Sequence, residues 1–439
     1  MRGATTARLT RTMACSTAMF VVLLATGGCA TLRATMSSYE VGPNGITRPQ
    51  QRLREALVRA DYSAALGWEE DDALLRELNT GVSSYYASQF ARSASVLDSA
   101  ALLAEDRITA SISKDALALV TNDMARPYQP RRTERLFIPY YGMLAYARLE
   151  QWEDAAVEAR RLSALLAEYA PDRSDAEKAT HATLHYLAAV VFERAGEYSD
   201  AEVAYRLARQ AGAEQSDAAP AGRGEGDVLL IVERGFVAHR ATESINIYVG
   251  GDSARHRRSR RDHEYDRDGE DNGEGGYWLS VAFPSLRRSA RVSGEPALLV
   301  DGASAASSRV ASVLDDAAAA DESRERTAWM ARAVARATAK YVVVKAVKDK
   351  KGDVAGQVAN LGAALLERAD VRSWHLLPQQ VTLLRMHVPA GERHLLVETG
   401  GGAGAGRVDV GPVTVRPGQV TIATVRLWTD GPYPLLAAR

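Results

Sequence analysis

The sequence predicts an α+β chain, with an N-terminal array of α-helical hairpins over residues 50–211 and a C-terminal, mainly β domain with inserted helices over residues 227–439. Two observations carry this. Between Glu134 and Gln210 apolar and small residues recur at helical spacing in two copies of one plan, and from Val228 onward the pattern changes to short apolar runs and alternation at every second residue. Residues 212–226, rich in Ala, Gly, Asp and Glu and containing Pro220, have neither period and read as a linker.

In the first copy Tyr140, Leu144 and Tyr146 lie on a helix that ends at Leu149, and Trp152, Ala155, Ala159 and Leu162 lie on the next. In the second, His185, Ala188, Ala189 and Phe192 lead to a turn at Gly196, followed by Tyr198, Ala201, Tyr205 and Ala208. An aromatic at the turn and small residues along the facing helix let two antiparallel backbones approach closely. The plan resembles the tetratricopeptide repeat. Two weaker copies precede it, at Leu53 to Ala65 and at Leu74 to Ala100. Equivalent small residues stand 62 positions apart from Ser93 to Ala155 and 46 from Ala155 to Ala201, against about 34 in a regular repeat, so the array is degenerate.

Upstream, Arg2, Arg8 and Arg11 precede an apolar run from Met13 to Ala25 and then Thr26-Gly27-Gly28-Cys29. The run falls short of the about 20 residues that a membrane span needs. It resembles a bacterial lipoprotein signal over residues 1–28, which implies cleavage before Cys29 and a lipid on its thiol; Ala30 in place of Asp implies the outer membrane. Cys15 lies within the signal, so the mature chain keeps Cys29 alone and must be held by its core instead of disulfides. Residues 29–49 then read as a tether. With 54 basic and 55 acidic residues the net charge is -1, which gives no reason to expect nucleic acid.

Between the second and third hairpins, Ser111-Ile112-Ser113-Lys114-Asp115 offers capping chemistry for an inserted helix carrying Leu117, Leu119 and Val120, broken at Thr121 to Tyr128. Ser113 to Asp123, Pro127-Tyr128, Thr133-Glu134-Arg135 and Ala156 to Arg161, with Ala369 to Trp374, Leu377-Pro378 and Pro389-Ala390-Gly391, resemble an uncharacterised family of bacterial envelope lipoproteins with tetratricopeptide-like repeats. That resemblance implies an architecture and a location, and no reaction.

In the second half, Val228 to Val232 reads as a buried strand and Ser244 to Val249 as a half-exposed one. Further strands are expected at Tyr277 to Phe283, Ala297 to Val300, Gln380 to Val388, His394 to Glu398, Arg407 to Val415 and Val420 to Leu427. Helices are expected at Arg324 to Lys348 and Val354 to Arg368. The last two strands, joined across Arg416-Pro417-Gly418-Gln419, read as a hairpin.

Candidate chemistry is sparse. The mixed basic and acidic loop from Arg255 to Gly276 has no EF-hand register, because Leu279 stands where Glu is needed, and it reads as a solvated loop. His181 and His185 sit one turn apart but lack the Glu of a zinc-protease motif, so no metal is expected. The glycine run from Gly400 to Gly406 has no Gly-Lys-Ser/Thr to hold phosphates. Glu69 to Asp72 sit at a turn with no apolar setting to raise a pKa. No nucleophile elbow is present, and no cofactor or catalytic residue is assigned. Arg332, Arg336 and Lys340 form a cationic stripe at helical spacing that could meet an anionic partner.

The functional expectation is a non-catalytic lipoprotein scaffold or adaptor of the cell envelope, facing the periplasm. It would bind an envelope protein or peptide through the inner face of its repeats, with Tyr140, Tyr141, Arg160 and Arg161 as contacts. The alternatives are a cell-wall-binding module or enzyme with its site in the C-terminal domain, or an activator of cell-wall synthases.

Overall fold

The computed structural model describes residues 46–68, 70–118, 127–213, 224–249, 277–304, 308–351, 369–400, 406–429 and 437–438. Cys29 and the signal expected before it, most of the expected tether, the loop at 255–276, the helix expected at 354–368 and the glycine run at 401–405 lie outside them.

The N-terminal part is helical: α1 Arg48–Val58, α2 Tyr62–Leu66, α3 Ala73–Tyr86, α4 Phe90–Ala118, α5 Arg132–Arg148, α6 Trp152–Tyr169, α7 Asp175–Ala195 and α8 Tyr198–Gln210. Helix α1 begins inside the expected tether, because Thr47 and Gln50 close a capping box around Pro49. Asp72 caps α3 by accepting from the backbone N–H groups of Leu74 and Leu75. The separate helix expected from Ser111 is instead the far end of α4, which runs unbroken from Phe90 to Ala118, while Leu119 and Val120 lie outside the described residues. Small residues set the interhelical spacing where α3 meets α4. A Cβ on Gly81 would stand 2.7 Å from the Leu97 side chain. The Ser93 hydroxyl donates to the Gly81 carbonyl at 2.8 Å.

Strand β1 (Glu225–Arg234) begins two residues inside the expected linker. It is followed by β2 His239–Val249, β3 Tyr277–Arg287, β4 Pro296–Val300, β5 Ala303–Ser304 and β6 Ser308–Val313. Helix α9 (Leu314–Lys351) starts ten residues earlier than the apolar pattern indicated, and β7 Gln380–Pro389, β8 Gly391–Thr399, β9 Gly406–Val415, β10 Val420–Leu427 and β11 Ala437–Ala438 complete the chain. One sheet has the order β11-β10-β1-β7-β6, a second β5-β4-β8-β9, and β2 pairs with β3 alone. Strand β1 lies between β10, which runs parallel to it, and antiparallel β7.

The expected hairpin of β9 and β10 does not form. Strand β9 pairs with β8 and β10 with β1, so the Pro417-Gly418 turn carries the chain from one sheet to the other. The turn is held by β1 instead: the Gly418 N–H donates to the Glu225 carbonyl and the Asp227 N–H to the Gln419 carbonyl.

The halves share one core. Val228, Leu230 and Val232 of β1 point into a cluster between the two large sheets, with Leu384, Met386, Leu395, Val397, Val408 and Val425. Leu229 and Ile231 point the other way, into a cluster continuous with Leu78, Tyr85, Phe137, Tyr141 and Leu187 of the helices. Burial on both faces explains the unbroken apolar run of β1. The molecule is thus layered as helices, five-stranded sheet and four-stranded sheet, an α+β architecture.

Candidate functional site

Packing the sheet against the helices decides what the expected contact residues can do. Tyr140 and Tyr141 are fully buried, and the Tyr140 hydroxyl donates to Glu233 Oε1 of β1 at 2.8 Å. The Tyr86 hydroxyl donates to the other oxygen of the same carboxylate. These tyrosines are therefore internal seams and not contacts for a partner. Arg160 pairs with Glu197 at 2.5 Å on the exposed side of the array, and Arg161 pairs with Glu158 at 2.6 Å. The expected stripe on α9 is split: Arg336 is buried, while Arg332 faces a cleft.

That cleft has a volume of about 220 Å³ and lies where the two halves meet. The segment leading into α5 contributes Pro127, Tyr128, Pro130 and Arg131, and the first turn of α5 contributes Arg132 and Arg135. Helix α9 contributes Glu325, Trp329 and Arg332, which share one helix face through their spacing of four and three. Strand β2 supplies Arg240 and β3 supplies Pro284, with Asp370 at the edge. Five arginines thus meet two carboxylates.

Buried acids hold the cleft in shape. Glu134 accepts from the backbone N–H of Arg131 and of Trp374, each at 2.7 Å, tying the α5 entrance to the segment before β7. Asp321 of α9 accepts from the Thr133 N–H at 2.8 Å and pairs with Arg324, which also reaches Glu177 of α7. Burial raises the carboxyls of Glu134 and Asp321. Asp72 accepts from both the Tyr128 N–H and Arg107, and hydrogen bonding to these donors outweighs its desolvation and lowers its pKa. Its neighbour Glu70, expected to titrate normally, is pushed up to about 7 by burial and by Asp71.

The cleft arginines are fixed around Trp329. The Arg131 guanidinium lies 4.3 Å and that of Arg240 5.4 Å from the ring centroid. Arg131 also pairs with Glu325, Arg132 with Asp172 at 3.3 Å and Arg135 with Glu168 at 3.6 Å. Arg240 is only 7% exposed and donates from Nη1 to the Arg372 carbonyl at 3.0 Å. Nε of Arg131, Nη1 of Arg132 and Nε of Arg240 have no acceptor among the described residues.

Magnitude separates this cleft from the paired surface arginines. An exposed pair such as Arg160 and Glu197 contributes about 0–1 kcal/mol. An anion 4 Å from a guanidinium in a partly desolvated cleft gains about 4 kcal/mol of Coulomb energy at an effective dielectric of about 20, against which the desolvation of the anion is set.

Sequence reasoning placed only Arg332 here. Arg131 and Arg240 stand more than 100 residues apart in the chain, and no local pattern joins them. The segment leading into α5 and the segment before β7 pack together beside the cleft, where the Trp374 N–H donates to Glu134.

Two wider grooves flank α1. One of about 710 Å³ is lined by Leu53, Trp68, Glu70, Leu75 and Val371, and one of about 350 Å³ by Ile46, Arg54, Val58 and Thr429. His181 and His185 are buried with ring centroids 6.4 Å apart, and burial lowers both to about 4. No group of His, Cys, Asp and Glu suited to a metal occurs among the described residues. Nor is any described helix long and apolar enough to cross a membrane.

Fold and cleft together define an α+β protein in which a helical array and a β-sheet jointly build a cationic recess. The chain matches no protein-family model and no curated protein.

Proposed function

We propose that this chain is a non-catalytic lipoprotein of the cell envelope, held through Cys29 and acting as an adaptor, and that the arginine cleft is where it grips an anionic group on its partner. In this reading the helical hairpins are degenerate tetratricopeptide-like repeats. Supporting it are the close α3–α4 approach at Gly81 and the left-handed Gly196 that ends α7 ahead of α8. The side of the helices that faces the sheet carries Tyr85, Tyr86, Tyr140 and Tyr141 and is filled by the chain's own β1 and β10. A partner is therefore met at the cleft and not on that inner face. The observation that carries the proposal is the convergence of five arginines from both halves on one recess.

Photo-crosslinking in intact cells tests it. A benzoylphenylalanine at Arg132, on the cleft rim, is expected to give a discrete adduct that depends on Cys29, while the same probe at Tyr198 on the outer face gives none. Adducts from Tyr198 alone, or adducts unchanged in Cys29→Ala, would count against the assignment.

A further inference from the structure

We propose that the cleft receives a single carboxylate presented by a peptide, with Arg240 as the group that binds it; this rests on the reading of the cleft as the partner site. Charge accounting points to one negative charge. Arg131, Arg132 and Arg135 each have a carboxylate partner, Arg332 is engaged as well, and Asp370 is matched by Arg372 at 2.8 Å. Arg240 has none among the described residues, although it is the most deeply buried arginine lining the cleft. A buried guanidinium satisfied by one carbonyl and the face of an indole still lacks a counter-charge, and its Nε has no acceptor. Guanidinium donors match the planar two-oxygen edge of a carboxylate.

The walls select against more highly charged ligands. A phosphate monoester carries about 1.5 to 2 negative charges at neutral pH. It would meet Glu325 and Asp370 as well as the arginines. Ile108, Pro127, Pro284 and Trp329 instead offer apolar surface to the carbon atoms that carry a carboxylate. At about 220 Å³ the recess is below the about 300 Å³ where drug-sized ligand pockets begin, so it takes an end residue or one acidic side chain.

Calorimetric titration of the mature protein would use N-acetyl-dialanine with a free carboxylate, its C-terminal amide, an amide-capped peptide with an internal Glu, inorganic phosphate, and phosphatidylglycerol vesicles. The free carboxylate is expected to bind and the simple amide not. Binding of the internal Glu peptide would place the carboxylate on a side chain, and its failure would place it at a chain terminus. Arg240→Gln is expected to weaken binding at least tenfold with an unchanged thermal melt. Because a buried arginine is a risky site, exposed Pro127 supplies a second pair of variants: Pro127→Glu should weaken and Pro127→Lys strengthen the same interaction. Equal binding of acid and amide, or tighter binding of phosphate or vesicles, would overturn the carboxylate assignment while leaving an anion-binding cleft. If no anion bound, both readings would fall.

Discussion

Glu233 is the residue on which the two halves are pinned. It lies 1% exposed on β1, accepts from Tyr86 and Tyr140, and sits 3.7 Å from Arg426, itself fully buried. Burial pushes its carboxyl up to about 7, and Arg426 holds it from rising further. A carboxyl whose pKa is higher folded than unfolded favours the folded state while it is protonated in the fold. That contribution is complete below about 4.5 and is lost as the pH rises to about 7. A shift of this size corresponds to a few kcal/mol at most, on the order of 1.4 kcal/mol per unit. Glu158 is raised to about 7 in the same sense by its own burial, so only a difference isolates Glu233. Chemical denaturation from pH 4.5 to 7.5 should show the wild type losing stability relative to Glu233→Gln across that range. Parallel curves for the two proteins would rule the titration out. At the cleft, Arg240 illustrates the opposite case, a charge kept buried with no carboxylate partner among the described residues.

Helix pairs are held by small residues and caps more than by propensity. Replacing Gly81 by Ala forces a methyl to within 2.7 Å of Leu97, so α3 and α4 must separate or repack. The expected loss is about 1–3 kcal/mol, typical of overpacking, read as a lower midpoint in urea at unchanged slope. Gly196 acts differently. Nothing lies within 4 Å of a Cβ there, but its φ of 80° suits glycine. Gly196→Ala should therefore lose about 1 kcal/mol from backbone strain alone. Gly196→Asn should lose less, because Asn tolerates the left-handed region. Equal losses for the two substitutions would show that the cap conformation is not the cause. Among the strands, β1 carries two cores through its alternation, and β10 runs parallel beside it because the chain leaves the second sheet at Pro417-Gly418 before returning.

Taken whole, the helices and the sheet depend on one another. Arg385 of β7 reaches Glu193 of α7 at 3.0 Å, donates to the Tyr205 hydroxyl of α8 at 2.6 Å and pairs with Asp227 of β1. Arg54 of α1 donates to the His375 carbonyl at 2.9 Å, and Tyr85 of α3 meets Thr424 of β10 at 2.7 Å. Arg385→Ala would leave Asp227 buried with His387 as its one remaining ion-pair partner among the described residues, and a loss of about 3–5 kcal/mol is expected from thermal melts. More generally, a fragment ending at Gln210 would expose Tyr85, Tyr86, Phe137, Tyr140 and Tyr141 together. Such a fragment should aggregate or melt without cooperativity, as followed by gel filtration and circular dichroism. A monomeric fragment with a sharp transition would show that the array is an independent domain after all.

The sequence by itself determined the α+β class, the positions of most helices and strands, and the point near Gly212 where one period gives way to the other. Those features depend on local periodicity, caps such as Asp72, and turn residues such as Gly196, all of which act over a few residues. Strand pairing was beyond the sequence: Pro417-Gly418 has hairpin chemistry, yet β10 is claimed by the edge of β1, to which it hydrogen-bonds across almost 200 residues of chain. Only the tertiary structure decided that the sheet would occupy the inner face of the helices, which turned Tyr140 and Tyr141 from expected contacts into core. Only it could bring Arg131, Arg240 and Arg332 to one recess, since a charge cluster assembled from three distant elements leaves no trace in any local window.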